Sequence, residues 1–152
     1  MNASCERSGR AAVCLEFFVA CLPVAQPRQR VTVIAGRPHN YTPTRHPVNR
    51  FKAELRKAVA DRWDGGPLDG PLQLAVSFFL PRPKSKIWKR KPMPAEPHCK
   101  RPDLDNLLKV VLDALRGLCW RDDAQVAELL ASKQIAAGDW QPGVSITIHR
   151  IH

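Results

Sequence analysis

Asp103-Leu104-Asp105-Asn106-Leu107-Leu108-Lys109-Val110-Val111-Leu112-Asp113-Ala114-Leu115-Arg116-Gly117 is the most regular stretch of the 152-residue chain. Leu104, Leu107, Leu108, Val111, Leu112 and Leu115 recur at three- and four-residue spacing, which puts them on one stripe of a helix. Pro102 and Asp103 supply its start and Gly117 its stop. A helix with one apolar stripe has to cover another layer, and the flanking sequence provides it.

Leu72–Leu80 alternates, with Leu72, Leu74, Val76 and Phe78 on one face of a strand. Val144–Ile151 does the same through Val144, Ile146, Ile148 and Arg150. Residues 12–22 alternate Val13, Leu15, Phe17 and Val19. Glu16 in their midst and Cys21-Leu22-Pro23 at their end favour a strand over a secretory leader. Val31–Ala35 and a segment around Asn40–Thr42 read as short strands about a Gly36-Arg37-Pro38 turn. His46–Trp63 carries Phe51, Leu55, Ala58, Val59 and Arg62 at helical spacing, ended by Gly65-Gly66-Pro67. Gln125–Ala137 fits strand or helix. The order β-β-β-α-β-α-β-β predicts a single α/β (α+β) domain over 12–152, a mixed sheet with helices packed on one face. Residues 1–11 read as a poorly ordered start.

Charge narrows the function. Lys and Arg number 24 against 14 Asp and Glu, a net charge of +10. Such an excess favours a polyanionic partner, most often nucleic acid. The cations cluster in a Pro-rich loop, residues 81–102, that holds Lys84, Lys86, Lys89, Arg90, Lys91, Lys100 and Arg101. Proline recurs too often there for a helix or a central strand, and long loops in small domains are commonly functional. Trp88 inside the run can stack on an exposed base or cover the domain's own surface. Arg28, Arg30 and Arg37 are further candidate phosphate contacts. No segment is long enough to span a membrane.

The cysteines number five, with no C-x-x-C pair. That argues against a disulfide framework and a zinc site, and for a reducing cytoplasm. His98-Cys99 lacks two partners at metal spacing and reads as loop.

The acids carry the chemistry. Asp103 and Asp105 sit where the basic loop becomes the helix, and Lys109 follows Asp105 by one turn. Mg²⁺ is held by one or two carboxylates together with waters and phosphate oxygens. A lysine alongside neutralises phosphate or leaving group. Taken alone, Asp-x-Asp has a plainer reading: Asp103 caps the helix and Asp105–Lys109 is a surface pair. The second acidic pair, Asp122-Asp123, favours the metal reading if the next strand returns beside the helix start. Asp113 reads as structural, pairing with Lys109 or Arg116.

Arg101-Pro-Asp-Leu-Asp-Asn-Leu-Leu-Lys-Val-Val-Leu-Asp-Ala-Leu, followed by Trp120-Arg-Asp-Asp-Ala-Gln-Val, closely resembles the signature of the RusA-type Holliday junction resolvases of bacteria and their phages. Phe17–Arg30 and Tyr41-Thr-Pro resemble the family's early segments. The resemblance implies a homodimeric nuclease that uses Mg²⁺ or Mn²⁺ to make paired cuts in four-way DNA junctions. Carried over by position, Asp103, Asp105 and Asp123 are the metal carboxylates, Lys109 the catalytic lysine and Asp122 a companion acid. DNA contacts fall to Arg28, Arg30, Lys84, Lys86, Trp88, Lys89, Arg90, Lys91, Lys100 and Arg101. The loop at 81–100 is longer and richer in proline than in short family members. The apolar strands near Phe17 and Phe79 are candidates for a dimer interface. Two alternatives remain: a metal nuclease for flaps and forks, and a non-catalytic DNA-binding protein whose acids are structural.

Overall fold

A computed structural model describes residues 12–151; the expectation for residues 1–11 lies outside them. The strands are β1 (Ala12–Ala20), β2 (Arg30–Ile34), β3 (Arg37–Tyr41), β4 (Leu72–Leu80), β5 (Glu96–Pro97), β6 (Val126–Ile135) and β7 (Gly143–Arg150). The helices are α1 (Pro47–Ala60) and α2 (Leu104–Leu115). Five strands form one mixed sheet in the order β1-β7-β4-β6-β5, in which β4 and β6 are parallel and the other neighbours antiparallel. β2 and β3 form a separate hairpin.

The alternation read in β4 is the alternation of burial: Leu72, Leu74, Val76, Phe78 and Leu80 are buried, and the residues between them are half-buried. Val144, Ile146 and Ile148 of β7 join the same core face. Both helices cover that face. α1 inserts Val48, Phe51, Leu55, Ala58 and Val59. It ends earlier than the sequence suggested, at Ala60, with Asp61 as its cap, so Arg62 is exposed and donates to the Ala58 carbonyl at 3.0 Å.

The buried stripe of α2 is Leu107, Val110, Val111, Ala114 and Leu115, rotated from the expected leucine stripe; Leu104, Leu108 and Leu112 are only partly buried. The physical reason is that α2 packs against α1 as well as the sheet. Its small residues lie innermost, and Arg56 of α1 reaches the Ala114 carbonyl at 3.3 Å. Asp113 pairs with Lys52 of α1 at 3.6 Å rather than with Lys109 or Arg116, because α1 presents the nearer cation.

One further expectation is corrected. An irregularity between Val13 and Leu15 breaks the alternation of β1 and leaves Val13 56% exposed, while Leu15, Phe17 and Val19 face the core. Phe17 itself is buried, whereas Phe18 of the same edge strand is 44% exposed. Phe79 lies on the opposite sheet face, edge-on to Phe18 (6.1 Å between centroids) and Trp140 (5.8 Å). The ambiguous segment after Gln125 is the strand β6. No helix among the described residues is long and apolar enough to cross a membrane.

Candidate active site and nucleic-acid interface

The mouth of α2 is built by the end of the basic loop. A cis Arg101–Pro102 peptide precedes Asp103, the N-cap residue, whose backbone carbonyl accepts from the Leu107 amide at 3.1 Å. The Asp103 side chain makes no capping hydrogen bond. Its carboxylate is exposed and unspent, and that of Asp105 one step further is exposed too. The ammonium of Lys133 on β6 donates to the carbonyls of Lys100 and Pro102 and clasps the loop end to the sheet. From the other side, the Gln26 amide donates to the Asn106 carbonyl at 3.1 Å. An open cleft results, lined by Gln26, Arg28, Arg101, Pro102, Asp103 and Asn106. Gln26 Oε1 is buried there without a hydrogen-bond partner among the described residues. Lys109 is exposed one turn along, and no ion pair joins it to Asp105 among the described residues.

Asp122 and Asp123 sit at the other end of α2. Trp120 is fully buried and its indole N–H donates to Asp123 Oδ1 at 2.8 Å. Arg116, at the helix end, lies 3.7 Å from Asp123 Oδ2. Asp122 accepts from the Ala124 amide at 2.8 Å and caps a 3-10 turn over Asp123–Gln125. Gln125 braces the turn on both sides. Its Oε1 accepts from the Arg121 and Asp122 amides at 2.8 and 3.2 Å, and its Nε2 donates to the Leu68 and Gly70 carbonyls at 2.9 and 3.1 Å. Gly117 makes the hinge into this turn with φ +84°.

The two acidic groups are therefore apart within one chain. A helix of 12 residues is about 18 Å long. Along β6, Asp123 stands before Val126 while the Asp103 mouth is fastened at Lys133, some seven strand steps or roughly 23 Å on. The strand after the turn starts beside the helix end and runs back towards the helix start. Among the described residues no three His, Cys, Asp or Glu gather closely enough to hold a metal. Asp103 and Asp105 do fit a hard cation, since two carboxylates with a neighbouring unpartnered amide oxygen are ligands Mg²⁺ accepts.

The basic loop is anchored. Arg82 donates to the Pro94 and Ala136 carbonyls at 2.6 and 3.2 Å, and Lys86 is engaged by Glu96. The hydrogen bond to Lys86 holds the Glu96 carboxyl below its usual range. Lys84, Lys89, Arg90, Lys91, Lys100 and Arg101 are exposed, as are Arg28 and Arg30. Trp88 is 42% exposed, with Lys91 Nζ 6.0 Å from its ring centroid. Burial, then the charges of Lys133, Lys100 and Lys86, holds His98 below the ordinary imidazole range. Burial pushes the thiol of Cys119 up to about 12; burial and Glu54 push that of Cys21 up to about 11. Both stay protonated at neutral pH and are poor nucleophiles and ligands.

The sequence did not single out Gln125, the Trp120 indole or Arg116 as parts of this site. Their signal was present only as contiguity with Asp122-Asp123. Trp120 reads as one more apolar residue until its N–H is located.

Paired carboxylates at a helix mouth, framed by cations, can hold a hard cation beside a phosphate. Over residues 21–149 the chain matches the family described as Endodeoxyribonuclease RusA, and it belongs to that family of nucleases. A protein of Bacillus subtilis (strain 168), described as Uncharacterized protein YqaN, is 32% identical over 143 residues, covering 91% of this chain and 97% of its own length.

Proposed function

We propose that this nuclease is a Mg²⁺-dependent, structure-selective endodeoxyribonuclease that resolves four-way (Holliday) junctions by paired cuts, working as a homodimer. Mn²⁺ serves as a substitute. The observation that carries the reading is the position of the acids at opposite ends of α2 and β6. A site that uses Asp103, Asp105 and Asp123 together must draw them from two chains.

The free edge of β6 makes such a pairing reasonable. β5 covers only Ile135 and Gln134, and the edge from Val126 to Ser132 has no partner strand among the described residues. Leu129 and Leu130 there are 46% and 73% exposed. An uncovered apolar edge invites pairing with another strand. A two-fold axis makes that pairing antiparallel, so the start of one β6 passes the end of the other. Asp123 of each copy then faces the Asp103 mouth of its neighbour, giving two sites related by the symmetry of a four-way junction.

When bound, the cation activates water and stabilises charge on the phosphorus oxygens. The chain's own residues do the rest. Asp103 and Asp105 would hold the cation at the helix mouth, and Asp123 of the other copy would complete the set. Lys109 neutralises phosphate or the leaving oxygen. Asp122 holds the Asp123 turn in shape. Arg28, Lys100 and Arg101 frame the scissile phosphate, and Arg30 with Lys84, Lys89, Arg90 and Lys91 holds the arms.

The test is a labelled synthetic four-way junction beside a fork and a linear duplex, each with Mg²⁺ or EDTA. Symmetric metal-dependent cuts in the junction are expected. Equal cutting of the fork would replace junction resolution by a broader branch nuclease. Binding without any cutting would refute the catalytic reading.

A further inference from the structure

The hairpin of β2 and β3 stands outside the hydrophobic core. Among the described residues its ten residues pair only with one another, and all but Thr32 are exposed. None contributes to the hydrophobic core. Ala35 and Gly36 turn the chain with φ of 51° and 73°, the geometry of a tight hairpin whose twist matches its strands. A two-stranded hairpin with no layer behind it is marginal in water.

The two faces differ. Paired residues share a face, so Arg30 with Tyr41, Thr32 with His39 and Ile34 with Arg37 form one side. Val31 and Val33 with Asn40 and Pro38 form the other. The first side is cationic and hydrogen-bonding. The surroundings reinforce it, for no Asp or Glu occurs anywhere from Leu22 to Ala53, a stretch that holds Arg28, Arg30, Arg37, Arg45, Arg50 and Lys52. Arg28, Arg30, Arg37 and Arg45 form no salt bridge among the described residues. The hairpin is also rooted at the candidate site. Arg28 lines the Asp103 cleft and β2 begins two residues later.

We infer that the β2–β3 hairpin is a DNA-gripping arm whose Arg30/Arg37 face lies along one duplex arm of the substrate beside the cut. Five residues of antiparallel strand reach about 17 Å, equal to roughly five base pairs at 3.4 Å each. A two-stranded ribbon is of a size the major groove admits. DNA supplies an anionic layer for a hairpin that has none among the described residues. The inference rests on the DNA-nuclease reading but not on catalysis, since gripping needs no cation at Asp103.

The experiment measures junction binding in EDTA across a salt series, with hydroxyl-radical footprints. Arg30→Ala/Arg37→Ala should bind at least about tenfold more weakly, with the slope of log K against log salt shallower by about 1.8, the contribution of two phosphate contacts. Protection extending about five nucleotides from the cut position should vanish. Arg30→Lys/Arg37→Lys should restore most of the slope, and the alanine variant should melt like the wild type because the hairpin supports no core. An unchanged slope and footprint would overturn the inference. So would an unchanged slope together with conversion of dimer to monomer by Val31→Ser/Val33→Ser, which would make the hairpin a protein interface. Failure of the nuclease reading shows separately, in a parallel arm with Mg²⁺, as a wild-type protein that leaves the junction uncut while its footprint is retained.

Discussion

Asp105→Asn and Asp123→Asn should each abolish cleavage alone, yet activity should return when the two variants share a dimer. The arithmetic follows from the roughly 20 Å between Asp123 and the Asp103 mouth along the same chain. If each site takes Asp103 and Asp105 from one copy and Asp123 from the other, the mixed dimer places both defects in one site and leaves its second site intact. Random mixing at equal amounts makes about half of the dimers mixed, so about a quarter of all sites are intact. A mixed dimer isolated through two different tags has one good site of two. The assay uses a supercoiled plasmid that extrudes a four-way junction. The isolated mixed dimer should accumulate nicked circles and almost no linear product, with an initial nicking rate about half that of wild type. Each parent variant should leave the plasmid supercoiled while still shifting a junction on a gel. If the mixed dimer is as inactive as its parents, the acids do not act across two chains and the composite site is refuted.

Other outcomes follow from single residues. Lys109→Ala should cut on the order of a hundredfold more slowly, as for removal of one charge-stabilising donor; single-turnover rates across a Mg²⁺ titration should keep their midpoint, and an equal shift of rate and midpoint would merge its role with that of the carboxylates. Phe51, 2% exposed between α1 and the sheet, should cost about 3–5 kcal/mol on replacement by Ala, lowering Tm by roughly 10 °C; a change under about 3 °C in a melting scan would show that the core closes over the gap. His98 is held below its ordinary 6.5, so as pH falls the unfolded chain takes up the proton first. Its share of stability is therefore full above 6.5 and is lost as pH falls through the lowered value. Melting between about pH 7.5 and about pH 5 should fall more steeply for wild type than for His98→Asn, and parallel curves would contradict this.

Elements whose pattern has one solution were legible in the sequence. Leu72–Leu80 was correct to the residue, because a strand buried on one face leaves only one phase for its alternation. The stripe of α2 was less legible. Leucine spacing marks a helix but does not say that a second helix covers its flank and draws Val110 and Ala114 inward. The irregularity that turns Val13 outward depends on hydrogen bonding to β7, which no local pattern records. At the site, residue types and the helix mouth were readable from Arg101 to Lys109. The distance from Asp123 was not, because it is fixed by the direction in which β6 leaves the turn. That direction is set by pairing with β4, more than fifty residues earlier in the chain.

The basic loop enters at Leu80, where Arg82 grips the Ala136 carbonyl, and leaves at Pro102, where Lys133 grips the last carbonyls. Arg82 also holds the Pro94 carbonyl, the Gly138 amide donates to the Met93 carbonyl and Glu96–Pro97 pair with β6, so the stretch left between fasteners is Ile87–Pro92. Insertions or deletions between them leave the helix mouth where it is, since the closure cost of a longer loop grows only slowly with length. The segment can thus behave as an interchangeable cassette. Exchanging Ile87–Pro92 is accordingly the natural route to variants with altered DNA contacts.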